Sequence, residues 1–236
     1  MLNETFYLDG IDARYAGIQL QAPIEFSGAV PVVKTQTIPG RNGDLILETG
    51  SYKNRSGSAS CFCLQKDVEK AVSSAGRFLM GKRGYRRLET SDDPSHYWMA
   101  RVENSPQIDM RLRTLAPFEI GFDCKPQRFV KSGENAVVFT SNGSLFNQYG
   151  QVALPLISVY GGGQGSITIG DCVVEIYDMD SVLYLDSETQ NAYNNNGNQN
   201  MYINAPVFPT LPYGEIPIAF SSHIERIEII PRWWEL

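Results

Sequence analysis

The chain has 236 residues, enough for one large β domain or two smaller ones, each with its own core. Its 42% hydrophobic and 19% charged residues are a globular rather than a disordered composition, and a net charge of −6 argues against nucleic-acid binding as its main task, which relies on a basic face. With 21 Gly, 13 Pro, 12 Tyr and 11 Phe, the composition predicts turns and sheets in place of a helix bundle.

The start, Met1-Leu2-Asn3-Glu4, has no basic segment followed by an apolar stretch, so no signal peptide is predicted. No apolar run is long enough to span a membrane as a helix, and a protein made in a cytoplasm or carried inside a particle is expected. The first strong turn signal is Arg41-Asn42-Gly43-Asp44. Cys61 and Cys63 follow, two apart and therefore on one face of a strand. With Cys124 and Cys172 they make four cysteines, read as buried free thiols and not as a disulfide set or a zinc site.

One stretch changes period. Leu64, Val68, Ala71, Val72, Ala75, Phe78 and Leu79 follow helical spacing with Lys66, Asp67, Glu69 and Lys70 mostly opposite, which predicts a single helix over about 64–80 that covers a sheet. Gly81 suits the position just past its end. The basic run Lys82-Arg83-Gly84-Tyr85-Arg86-Arg87 comes next and is read as a solvated turn. Alternation then resumes: Trp98, Ala100 and Val102 share one strand face, and Ile120, Phe122 and Cys124 another. A polar linker is expected over 128–135, dividing a β domain with one helix, residues 1–131, from an all-β sandwich, residues 132–236. In the second part, 171–177 and 226–229 alternate in the same way. Gly161-Gly162-Gly163-Gln164-Gly165 precedes a strand instead of a helix, so it is read as a hairpin loop and not a phosphate cradle. The Asn-rich stretch 191–200 is read as a long loop.

Chemistry is hard to assemble from these residues. Only His96 and His223 could serve a Ser/His/Asp triad, both precede strands, and no G-x-S-x-G pattern accompanies them. Asp178 with Asp180, and Asp186 with Glu188, place acids two apart, as solvated strand ends do. Tyr193, Tyr202, Tyr213, Trp233 and Trp234 could offer a sugar platform, but the adjacent tryptophans point to opposite faces of a strand. A non-catalytic, mainly β protein with no catalytic, metal or cofactor residues is the expectation. A carbohydrate-binding sandwich that adheres to a host cell wall is the competing one.

Several segments, in order, resemble the distal tail protein (Dit) family of long-tailed siphophages. They are Ile38-Pro39-Gly40-Arg41-Asn42-Gly43-Asp44-Leu45 with Glu48-Thr49-Gly50-Ser51-Tyr52, then Phe122-Asp123-Cys124-Lys125-Pro126, then Leu154-Pro155-Leu156-Ile157-Ser158-Val159-Tyr160-Gly161 with Ile167-Thr168-Ile169-Gly170, and last Ile230-Pro231-Arg232-Trp233-Trp234-Glu235-Leu236. The resemblance spans essentially the whole chain. It implies a first domain, sandwich or split-barrel in form, that assembles as a homohexameric ring at the end of the tail tube, and a galectin-like second domain outside it. The implied partners are the tail tube protein, the tail-associated hub protein and, in some phages, receptor-binding proteins. DNA would pass through the ring without specific binding, which the acidic balance suits. The implied location is the tail tip of a virion. Arg41, Asn42, Asp44, Tyr52 and Arg55 are expected in a polar, Gly-rich hairpin at the ring interface.

Overall fold

The computed structural model describes residues 4–63, 68–103 and 116–236. Alternation dominates these segments, and the described residues are accordingly mainly β with one α-helix. It divides into two compact units, Met1–Arg128 with Leu236, and Phe129–Glu235.

In the first unit, seven strands form a sheet in the order Ile11–Asp12, Phe6–Leu8, Arg86–Thr90, His96–Val102, Ala116–Val130, Arg55–Cys63 and Ile18–Leu20, with Glu25–Phe26 also paired to Arg55–Cys63. Period-2 patterning sends one face of each strand inward. Cys61 and Cys63, Trp98 and Ala100, and Ile120, Phe122 and Cys124 all enter one core, together with Phe6, Leu8, Ile18 and Leu88. The helix Val68–Met80 adds Ala71, Ala75 and Leu79, an i, i+4, i+8 stripe, to that core. The part of the predicted helix before Val68 lies outside the described residues. At its end the Gly81 N–H donates to the Arg77 carbonyl at 2.9 Å. A Cβ at Gly81 would lie 2.3 Å from that oxygen, so glycine is required there.

The basic run after the helix departs from the sequence reading. Arg86 is 6% exposed, not solvated. Its Nη1 donates to the Phe78 carbonyl at 2.7 Å and its Nε to Asp9 at 3.0 Å. The guanidinium therefore satisfies an orphan carbonyl at the helix C-terminus, where the macrodipole also favours a cation. A local reading could not anticipate this, because Asp9 lies on the far side of the sequence.

The second unit is a two-sheet sandwich. One sheet runs Val137–Phe139, Ile224–Ile230, Leu156–Gly161, Val182–Asp186, Asn191–Asn194 and Gly197–Asn198; the other runs Gly143–Asn147, Gly214–Phe220, Gly165–Ile169, Cys172–Ile176 and Ile203–Asn204. Ile157, Val159, Leu183, Leu185, Ile227 and Ile229 from the first sheet meet Ile167, Ile169, Val174, Ile176, Ile216 and Ile218 from the second.

Three sequence readings change here. Residues 161–165 are not a hairpin loop: Leu156–Gly161 belongs to one sheet and Gly165–Ile169 to the other, so the glycines turn the corner between sheets. A Cβ on Gly161 would stand 2.4 Å from the His223 carbonyl oxygen, which explains the glycine without any phosphate. The Asn-rich tract is a hairpin, Asn191–Asn194 with Gly197–Asn198, held by its own amides. The Asn198 and Asn200 side chains both donate to Asn191 Oδ1, at 2.7 and 3.0 Å. Residues 128–135 are the end of a strand and a 3-10 turn, Lys131–Glu134, not a polar linker. Gly133 within that turn is buried, and a Cβ there would lie 2.4 Å from the Trp233 nitrogen.

Candidate assembly arm

Between Glu25–Phe26 and Arg55–Cys63 the chain leaves the sheet as a hairpin. Pro31–Gln36 pairs with Leu45–Tyr52 through Gln36↔Leu45, Thr35↔Ile46, Lys34↔Leu47 and Val33↔Glu48, and these two strands form a two-stranded sheet of their own. The turn signal read from the sequence closes it: Gly40 and Gly43 both take positive φ, 82° and 79°, and Thr37 Oγ1 donates to Asp44 at 2.7 Å. Lower down the register slips, leaving Thr49, Gly50 and Ser51 opposite Val32 before Pro31 meets Tyr52. Gly50 adopts φ 72°, and Thr49 Oγ1 donates to the Val32 carbonyl at 2.7 Å, so the arm carries a fixed bulge above its root.

Cross-strand partners share a face, which puts Val33, Thr35, Ile46 and Glu48 on one side and Lys34, Gln36, Leu45 and Leu47 on the other. Apolar side chains therefore stand on both faces. Ile46 is 59% exposed, Leu47 50% and Val33 42%. An isolated two-stranded hairpin is marginal in water, and its outer edges present unpaired N–H and C=O groups.

Arg41, Asn42 and Asp44 all sit exposed in the closing loop of this arm. Tyr52 is at its root, half-buried opposite Pro31. Arg55 lies beyond the hairpin, as the first residue of the next core strand, and its Nε donates to the Ser27 carbonyl at 2.6 Å. The sequence reading of a polar hairpin misses the apolar content of the arm, although the run Leu45-Ile46-Leu47 and the pair Val32-Val33 carry its signal.

The other candidates do not converge on chemistry. His96 is tied to Asp93, Nδ1 to Oδ1 at 2.7 Å, and Arg128 binds the same carboxylate. Burial pushes the Asp93 carboxyl upward, but His96 and Arg128 outweigh it and hold it below its ordinary range. His223 is exposed. Asp186 is a buried structural acid, bound by Arg232 at 2.6 Å, not a solvated strand end. Burial raises the Cys61 and Cys124 thiols to about 12 and lifts Cys63 too, which keeps all three protonated. Among the described residues no group of three or more His, Cys, Asp or Glu could hold a metal ion. Of the aromatics, Trp233 is buried, Trp234 donates its Nε1 to the Val152 carbonyl at 3.0 Å, and Tyr193 stacks on Tyr184 at 5.3 Å. Tyr202 is half-buried in a cleft of about 170 Å³ with Asp178 and Asp180, and of the five residues read as a sugar platform only Tyr213, 66% exposed beside Phe146, presents an open ring.

The class of protein is thus defined by architecture: a mainly β chain whose first unit carries one helix and a free-standing arm, and whose second unit is a two-sheet sandwich. That fold is shared with the solved Dit (gp 19.1) protein of phage SPP1, at a TM-score of 0.76 and 15% sequence identity over 96% of this chain and 97% of that one. The SPP1 protein is described as a paradigm of the hub adsorption apparatus in phages that infect Gram-positive bacteria. No protein-family model and no curated protein sequence matches the chain.

Proposed function

We propose that this chain is a non-enzymatic structural protein of a phage tail tip. Its first domain, read from the sequence as residues 1–131, assembles into a homohexameric ring that joins the tail tube to the hub and baseplate, and its second, read as residues 132–236, forms a galectin-like sandwich at the periphery. DNA passes through the ring without specific binding, and receptor-binding proteins are further partners in the same assembly. The observation that carries this reading is the arm: a free two-stranded sheet, apolar on both faces, in a chain with the fold of a phage hub protein. A second copy is the natural cover for such a surface, because identical arms can extend one another edge to edge and bury each other's apolar faces. Arg41, Asn42, Asp44 and Tyr52 lie where that contact forms.

Electron microscopy and sedimentation of the purified protein test the reading. Six-fold rings are expected, and a form with residues 33–48 replaced by a short Gly-Ser turn is expected to stay monomeric. A wild-type protein that stays monomeric at roughly 100 μM, a concentration that populates even contacts with Kd near 10 μM, overturns it.

A further inference from the structure

Asp123 occupies an odd position. Its strand neighbours Phe122 and Cys124 are in the core, so alternation turns Asp123 to the opposite face, yet it is only 9% exposed. The residue that follows the root of the arm covers it. Asn54 Nδ2 donates to Asp123 Oδ1 at 2.9 Å and to the Tyr85 hydroxyl oxygen at 2.6 Å, while Arg101 Nε donates to the other carboxylate oxygen at 2.6 Å. Lys125 lies over the Tyr85 ring, 5.7 Å from its centre. The backbone on either side is pinned as well: the Lys53 N–H donates to the Val30 carbonyl at 2.9 Å, and the Ser27 N–H to Ser56 at 2.8 Å. The returning strand of the arm is thus tied down close to Asn54, whose side chain reaches both Asp123, on the strand Ala116–Val130, and Tyr85, just before the strand Arg86–Thr90.

We propose that Asn54, Asp123 and Tyr85 are positioning residues for assembly. The carboxylate, held in place by Arg101, and the phenol fix the angle at which the hairpin leaves the sheet, so that the arm meets the next copy in the orientation that closes a ring. The logic is preorganisation: an arm free to swing loses orientational freedom on docking, and a fixed one has lost it already. Tyr85 belongs to the basic run after the helix, and this gives that run a role beyond its capping of the helix. The inference rests on the arm being the assembly element.

The test uses the full chain with Asn54→Ala, chosen because Asn54 is exposed and its truncation leaves the core intact. Spin labels at Asn42→Cys, on the tip, and Glu119→Cys, on the sheet, in a Cys172→Ser background, report the arm angle in dilute monomer. A narrow distance distribution is expected for the unsubstituted root and a broad one for Asn54→Ala, with ring assembly weakened at least about tenfold while the melting temperature stays close to the parent's. Tyr85→Phe, which removes one acceptor and keeps the ring, is expected to give an intermediate result and replaces Asn54→Ala if that variant fails to fold. Equal distance distributions, or equal assembly of parent and variant, overturn the proposal. A parent that never assembles refutes the ring reading alone, and the label distances still decide whether Asn54 sets the arm.

Discussion

The apolar faces of the arm make a quantitative claim about assembly. Ile46 and Leu47 retain 59% and 50% of their exposure in the single chain. Complete burial of such a side chain contributes about 1.5–3 kcal/mol, so burying the remaining half against a neighbour contributes roughly 1 kcal/mol for each. Replacing both by Asp loses about 2 kcal/mol and adds the cost of desolvating two carboxylates, each more than the roughly 1–3 kcal/mol that an uncharged polar group costs on mutational scales. Each subunit contact then weakens by roughly 4 kcal/mol or more, about a thousandfold in its association constant. A closed ring repeats the contact at every subunit, so the variant is expected to be monomeric wherever the parent forms rings. Folding behaves differently: both side chains are exposed in the monomer, so its stability is expected to shift by no more than about 0.5 kcal/mol. Sedimentation velocity reads the assembly and thermal melting by circular dichroism reads the fold. A double variant that still forms rings, or one that melts far below the parent, would refute the reasoning, the first because the faces are not buried on assembly and the second because they are already packed in the monomer.

Other outcomes follow from single sites. Gly133→Ala forces a Cβ to within 2.4 Å of the Trp233 nitrogen in a buried turn, so calorimetry is expected to show loss of about 2 kcal/mol or more from the second unit; an unchanged melt means the turn relaxes freely. Arg86→Met strips Asp9 of a partner and leaves the Phe78 carbonyl unpaired, and chemical denaturation is expected to show the first unit weaker by roughly 3 kcal/mol. For Asp186, burial raises the carboxyl, but the hydrogen bonds and charge of Arg232 prevail and lower it. A lowered folded pKa stabilises above the unfolded value and is lost as pH falls through the folded one, so stability is expected to drop below about pH 4, and less steeply in Asp186→Asn. An identical acid profile for that variant would exclude the pair as a source of acid sensitivity. Of the four cysteines, Cys61, Cys63 and Cys124 are buried and Cys172 is half-buried. A thiol reagent is therefore expected to modify at most Cys172 in the native protein and all four in denaturant.

Much of this molecule is legible along the chain because its signals are local. Alternation at 98–102, 120–124 and 226–229 marks which side chains turn inward, and the spacing of Ala71, Ala75 and Leu79 marks a helix with one buried face. The turn at 41–44 announces itself through its glycines. The Dit-like fold was also legible, through ordered short segments, none of them decisive alone. Periodicity, however, tells which face is buried and not what lies against it. Whether residues 161–165 return the chain within a sheet or carry it to another depends on the pairing of Leu156–Gly161 with Ile224–Ile230 and of Gly165–Ile169 with Gly214–Phe220, strands that lie far along the chain. Arg86 reads as solvated until Asp9 and the helix end close around it. The anchor of the arm joins Asn54 to Tyr85 and Asp123, 31 and 69 residues distant, and no local pattern encodes that meeting. Alternation specified the strands, and the tertiary structure alone decided that the pair at 31–52 stands apart from the sheet with its apolar faces uncovered. The physical reason is that burial is a property of neighbours in space, and for this hairpin the described chain supplies none.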